Sequence, residues 1–253
     1  MTFIITGGAS GIGFATAQLL KQYGQHVVIW DVNADQLKIA CEQLEVAGEL
    51  VDCTQYEQLQ HAITQIETIT GVIHCAGVLR TGLFEDVSIE DHIRMVNINL
   101  TGTLLTAKAA LPALKKSRGH LILVASVSAF QGPPEFASYA ATKAGVYSFA
   151  QSLRVELHGS GVHLGVVFPN LVNTPMLNAE NRRHAALTNA KSIFLKTYQP
   201  EEIAAKIVAG IHKRRFMIFP DWRTRLVYWA SRYAAWTGHF LTLKIWQNAK
   251  KTR

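Results

Sequence analysis

Thr6-Gly7-Gly8-Ala9-Ser10-Gly11-Ile12-Gly13 decides the fold, because a β-prone run at residues 1–6 leads into it and a helix-prone run at residues 14–23 leads out. Strand, glycine turn and helix in that order make the opening of a dinucleotide-binding unit. Glycine is wanted there because the turn needs unusual backbone angles, a pyrophosphate must approach the main chain, and the helix must pack close to the strand. The helix N-terminus then offers free N–H groups to an anion. The spacing is G-x-x-x-G-x-G, not the commoner G-x-G-x-x-G, and a glycine cluster alone is a weak signal. Its surroundings carry the weight.

A second strand, His26-Val27-Val28-Ile29-Trp30, ends in Asp31, eighteen residues past Gly13. An acidic residue there accepts hydrogen bonds from the adenosine ribose hydroxyls and repels a 2′-phosphate. Val32, Asn33 and Ala34 bring no basic residue, and Ser10 stands where one would meet a phosphate, so NAD is expected over NADP. Strand-like runs near Phe3, Val27, Val72, Leu121, Val166 and Met217 alternate with helical stretches. That alternation predicts an α/β fold, a Rossmann-type doubly wound parallel sheet of about seven strands with helices on both faces. The cofactor belongs at the carboxyl ends of the strands.

Tyr139-Ala140-Ala141-Thr142-Lys143 places a phenol and an ammonium four residues apart, on one face of a helix. Such a pair is common by chance, but Ser126 at the end of the strand-like residues 121–124 can meet it. Together the three read as a proton-transfer site. A free tyrosine titrates near ~10, and a fixed positive charge beside it favours phenolate. A downward move of about three units corresponds to roughly 4 kcal/mol of differential interaction, within reach of one close ammonium in a partly dry pocket.

These motifs, in this order, resemble the short-chain dehydrogenase/reductase family over about residues 1–220. Thr6-Gly7-(x)3-Gly11-Ile12-Gly13 matches the family's cofactor motif, Tyr139-(x)3-Lys143 its catalytic motif, and Ser126 its catalytic serine. Asn99, in Asn99-Leu100-Thr101-Gly102, matches the asparagine that holds a relay water, and Asp52 the aspartate that lies against the adenine. Two departures stand out. His74-Cys75-Ala76-Gly77 replaces the usual Asn-Asn-Ala-Gly, where Ala76 and Gly77 still admit the backbone to the cofactor and His74 alters the packing beneath it. Pro169-Asn170 replaces Pro-Gly and keeps a residue tolerant of left-handed angles.

The resemblance implies an oxidoreductase that interconverts a secondary alcohol and a ketone. Tyr139 is its acid/base, Ser126 binds the substrate oxygen, Lys143 binds the nicotinamide ribose and depresses the tyrosine, and Asn99 fixes a water. Thr174 aligns with a residue touching the nicotinamide amide, and Cys75, Ala76, Gly77 and Pro169 line the cofactor. Relatives join as homodimers or homotetramers through the helix that carries Tyr139 and Lys143, and the same is expected here. A dinucleotide-sensing or scaffold protein without turnover is the alternative. Intact Asn99, Ser126, Tyr139 and Lys143 weigh against it, because a binder does not need all four.

At 253 residues, with no repeat or Pro/Gly-rich linker, the chain reads as one domain. Residues 1–220 form the catalytic unit and residues 221–253 a helical extension of it. Cys41, Cys53 and Cys75 are odd in number and lie in apolar settings, so they read as small buried hydrophobes in a reducing, cytoplasmic compartment. No Cys or His spacing resembles a metal site, and the first strand leaves no room for a signal peptide. Substrate choice is assigned to a flap at residues 176–199, where Met176, Leu177, Ile193, Phe194, Leu195 and Tyr198 mix with Arg182, Arg183 and Lys191. A hydrophobic or lipid-like alcohol or ketone suits that mixture.

Ten of the 25 Lys and Arg, but one of the 18 Asp and Glu, fall in residues 213–253, so this stretch carries +9 and the remainder −2 of the net +7. It also holds four of the five tryptophans, Trp222, Trp229, Trp236 and Trp246. Leu226, Trp229, Tyr233, Trp236, Phe240 and Leu243 form one apolar stripe if the segment is helical, flanked by Arg225, Arg232 and His239. The tail can lie on an anionic membrane surface, pack on a second subunit or cover the substrate mouth, and all three readings stay open. Arg232, His239 and Lys244 argue against spanning. Nucleic acid is not expected as a partner, since no nucleic-acid-binding fold accompanies the charge.

Overall fold

A computed structural model of the chain describes residues 2–181 and 196–234, with Trp236, Phe240, Leu243 and Gln247. Its strands are β1 (Thr2–Thr6), β2 (His26–Asp31), β3 (Ala47–Leu50), β4 (Ile69–His74), β5 (His120–Val124), β6 (His163–Val167), β7 (Leu171–Val172), β8 (Thr197–Tyr198) and β9 (Met217–Ile218). Seven form a parallel sheet in the order β3-β2-β1-β4-β5-β6-β9, and β7 pairs with β8 separately. The helices are α1 (Gly11–Gln22), α2 (Ala34–Leu44), α3 (Tyr56–Thr64), α4 (Ile89–Met95), α5 (Gly102–Ser117), α6 (Ala137–Glu156), α7 (Pro175–Asn181), α8 (Pro200–His212) and α9 (Trp222–Tyr233).

Successive strand residues face opposite ways, so a central parallel strand must be apolar on both sides. Ile4, Val72, Leu121 and Val166 enter one core with Leu59 of α3, Ala110 of α5 and Val146 of α6. Ile5, Ile73, Ile122 and Val167 enter the other with Leu20 of α1, Leu37 of α2 and Ile207 of α8. This is the doubly wound arrangement that the alternating runs predict, and all six of those runs are strands of the sheet.

The seventh strand, β3, carries no such run. Ala47-Gly48-Glu49-Leu50 lies at the sheet edge, mostly exposed, and is held by its register with β2. The sheet reverses its order between β1 and β4, where Ile4 pairs with both Val28 and Val72. That switch point opens a crevice at the carboxyl ends of the strands.

Three expectations change. Tyr198 is buried in β8, hydrogen-bonded to Asn173 through its backbone, so it belongs to the core and not to a flap. Arg182, Arg183, Lys191, Ile193, Phe194 and Leu195 lie outside the described residues. The single apolar stripe of the tail is interrupted, because α9 stops at Tyr233 and Ala234 leaves helical angles at φ −140°. Of the cysteines, all free, Cys53 is buried as expected while Cys41 and Cys75 are half-buried.

Candidate functional site

Gly7 adopts φ +62°, and a Cβ there would stand 2.8 Å from the Ala76 backbone. A Cβ on Gly13 would collide with the Gly7 carbonyl oxygen. The loop after β1 and the loop after β4 therefore touch, and they do so only because these positions lack side chains. Ser10 begins α1 in extended conformation, its side chain making no cap hydrogen bond, and no acidic residue occupies the first turn. The first N–H groups of α1 are thereby left to an anion. Ile12 packs against the second core.

Asp31 closes β2 with its carboxylate turned to the glycine loop, accepting from Ala9 N at 3.1 Å and from Val32 N and Asn33 N at 2.8 and 3.1 Å. A helix cap is the other use for such a residue, but Asn33 is the residue that caps α2, through Gln36 N. Asp52 follows β3 and accepts from both the backbone and the hydroxyl of Thr54. Its neighbour Val51 is tied by N–H to the Asp31 carbonyl, so both carboxylates share one rim.

The second half of the site descends from α6 and the ends of β5 and β6. Lys143, buried, donates to the Val124 carbonyl at 2.8 Å and lies 5.7 Å from the centre of the Tyr139 ring. Ser126 accepts from Ser128 N and donates a long 3.4 Å bond to the Pro169 carbonyl, and it lies near enough to the Tyr139 phenol to favour the ionised form. Thr174 starts α7, accepting from Leu177 N, and would meet a Cβ on Gly11 at 3.0 Å. The two halves thus close on one crevice.

Asn99 sits in a π-helical turn, Val96–Thr101, between α4 and α5, a distortion that recurs at functional sites. Its side chain makes three hydrogen bonds: it accepts from Val78 N at 2.7 Å and donates to the Val78 carbonyl and to Thr142. Thr142 donates in turn to the Tyr139 carbonyl. Sequence reasoning passed over Thr142, although it stands inside the quoted Tyr139 to Lys143 stretch, three residues from Tyr139 and on its face of the helix. Gly77 lies between these elements, a Cβ there falling 3.2 Å from Asn99 Oδ1 and 3.7 Å from Lys143 Nζ.

Burial dominates the electrostatics of the crevice. Burial pushes the Tyr139 phenol up to about 12, against the lowering hydrogen bond of Ser126. Burial likewise pushes the Lys143 ammonium down to about 8, with Cys75 opposing. The crevice that holds both groups penalises the charged form of each.

The family model described as short chain dehydrogenase matches residues 1–185. The chain belongs to the short-chain dehydrogenase/reductase family. An uncharacterised oxidoreductase of Staphylococcus aureus strain MRSA252 is 34% identical over 216 residues, 82% of this chain and 89% of that protein. One from Staphylococcus epidermidis is 33% identical over 211 residues, covering 79% and 92%. A short-chain type dehydrogenase/reductase from Mycobacterium ulcerans superposes with a TM-score of 0.78 at 24% identity over 86% of each chain, a likeness of fold.

As an oxidoreductase of this family the chain uses a nicotinamide dinucleotide, NAD or NADP, and the glycine cradle, the open α1 terminus and the Asp31 rim fit that group. Of the short-chain dehydrogenase departures, His74 is the consequential one. Thr6 Oγ1 accepts from Ala76 N and shares a 2.8 Å hydrogen bond with His74 Nδ1. The Nε2 of the imidazole has no partner among the described residues, and burial drives the pKa of the ring down to about 3. Asn170 is the other departure, and it does not take a left-handed angle: its side chain accepts from Leu171 N, and the position makes no demand for glycine.

Proposed function

We propose that this chain is an NAD-dependent dehydrogenase interconverting a secondary alcohol and a ketone of hydrophobic character, with Tyr139 as the acid/base. The convergence of Ser126, Tyr139 and Lys143 at the carboxyl edge of the sheet carries this reading. A bound nicotinamide dinucleotide supplies the hydride donor or acceptor. Gly7 to Gly13 and α1 take its pyrophosphate, Asp31 its ribose hydroxyls, and Asp52, Ala76, Gly77, Pro169 and Thr174 its flanks.

The long Ser126 to Pro169 bond is easily exchanged for one to a substrate oxygen, where the hydroxyl stabilises developing charge. Tyr139 takes or gives the oxygen-bound proton. Lys143 spends one of its three N–H groups on Val124 and keeps two for the ribose and the phenol. Asn99 acts through Thr142 and Val78, holding α6 and the loop after β4 in register. Support for an apolar substrate comes from Met176 and Leu177 on α7 beside Thr174.

Titration with NADH and NADPH, followed by energy transfer from tryptophan, tests the cofactor assignment. NADH is expected to bind at least tenfold more tightly, and Asp31→Ala to erase that ratio. Preference for NADPH in the wild type contradicts the role given to Asp31.

A further inference from the structure

We propose that the exposed face of α9 is a docking surface for an anionic lipid bilayer. On a helix of 100° per residue, Trp222, Leu226, Trp229 and Tyr233 fall within about 60° of one another. They are 69%, 46%, 43% and 75% exposed. The opposite face is the one the fold uses: Thr224 is buried, and Tyr228 lies 5.1 Å from Phe130 and 5.8 Å from Phe219 in ring-centre distance. The helix is therefore amphipathic in reverse, with its large aromatic residues presented outward. Arg225 and Arg232 stand one step around the cylinder, exposed and on the same flank. The single acidic residue of the whole segment, Asp221, is occupied in capping α9 through Thr224.

Aromatic rings with a flank of guanidinium groups suit the headgroup region of a charged membrane, where rings insert and cations meet phosphate. The charge pattern selects this occupant over a second copy of the chain. Apposing two of these faces would bring Arg225 and Arg232 of one copy toward those of the other. The substrate mouth is excluded by direction, since Tyr228 anchors α9 with its opposite side toward the turn that follows Ser126. The surface stands apart from the reading of the reaction, as lipid binding needs neither cofactor nor turnover.

Co-sedimentation of the full chain with vesicles of equal phosphatidylglycerol and phosphatidylcholine, and with vesicles of phosphatidylcholine alone, tests it. Binding to the charged vesicles is expected to be at least tenfold stronger and to weaken in high salt. The double variant Leu226→Ser/Trp229→Ser and the double variant Arg225→Glu/Arg232→Glu should each lower it at least tenfold, with melting temperature and particle mass by light scattering unchanged. Equal binding to both vesicle types, or full binding by either double variant, overturns the proposal. A fall in particle mass caused by Leu226→Ser/Trp229→Ser overturns it in favour of a subunit interface.

Discussion

Tyr139 and His74 show how one buried crevice acts on different ionisable groups. With the phenol near 12, phenolate at pH 7 is about one part in 10⁵ of the cofactor-free protein. An ultraviolet difference titration of wild type against Tyr139→Phe should therefore show the Tyr139 phenolate only above pH 10, and its appearance below pH 9 would refute the dominance of burial. His74 has its folded pKa, about 3, below the ordinary value of 6.5, so between those values the unfolded chain binds the extra proton. Its contribution to stability is complete above pH 6.5 and is lost as the pH falls through that window. His74→Asn should flatten the fall in melting temperature between pH 6.5 and 4, each kcal/mol recovered being worth about 2–4 °C; an unchanged slope contradicts the buried neutral imidazole. The sequence marked His74 as a departure, but its bond to Thr6 depends on β1 and β4 lying side by side, a long-range fact that no local pattern carries.

Elements bring the site together by contact between loops, and glycine is the means. Gly13→Ala forces a methyl group onto the Gly7 carbonyl and should destabilise the protein by about 1–3 kcal/mol. It should also weaken NADH binding at least tenfold, as read by the same energy-transfer titration; wild-type affinity would mean that the turn is free to relax. This turn, β2 with Asp31, and the α6 pair were legible because each is a local pattern: a period, a glycine spacing, a four-residue step. The short strands β7, β8 and β3 were not, since two to four residues at an edge have no periodicity and exist by pairing alone. The tail stripe was legible as an apolar row, whereas its break at Ala234 and its outward direction were not, because the packing of Thr224 and Tyr228 fixes which side faces the fold.

Across the whole molecule, the doubly wound sheet gathers the proposed site at the carboxyl ends of its strands, and we propose the outer faces of α5 and α6 for assembly. A shallow groove of about 600 Å³ there is lined by Leu104, Lys108, Leu111, Pro112, Phe149 and Leu153, away from the crevice. Leu104→Glu is expected to lower the particle mass in light scattering while NADH binding persists, and an unchanged mass would place any oligomer contact elsewhere. No described helix is long and apolar enough to cross a membrane. The reaction itself is tested most directly by Tyr139→Phe, assayed with NAD⁺ against the best substrate from a panel of hydrophobic secondary alcohols. Turnover should fall by about 10²–10⁴, the usual worth of a general acid/base, while NADH affinity stays within a factor of three. Turnover equal to wild type would contradict the assignment of Tyr139 as the group that moves the proton.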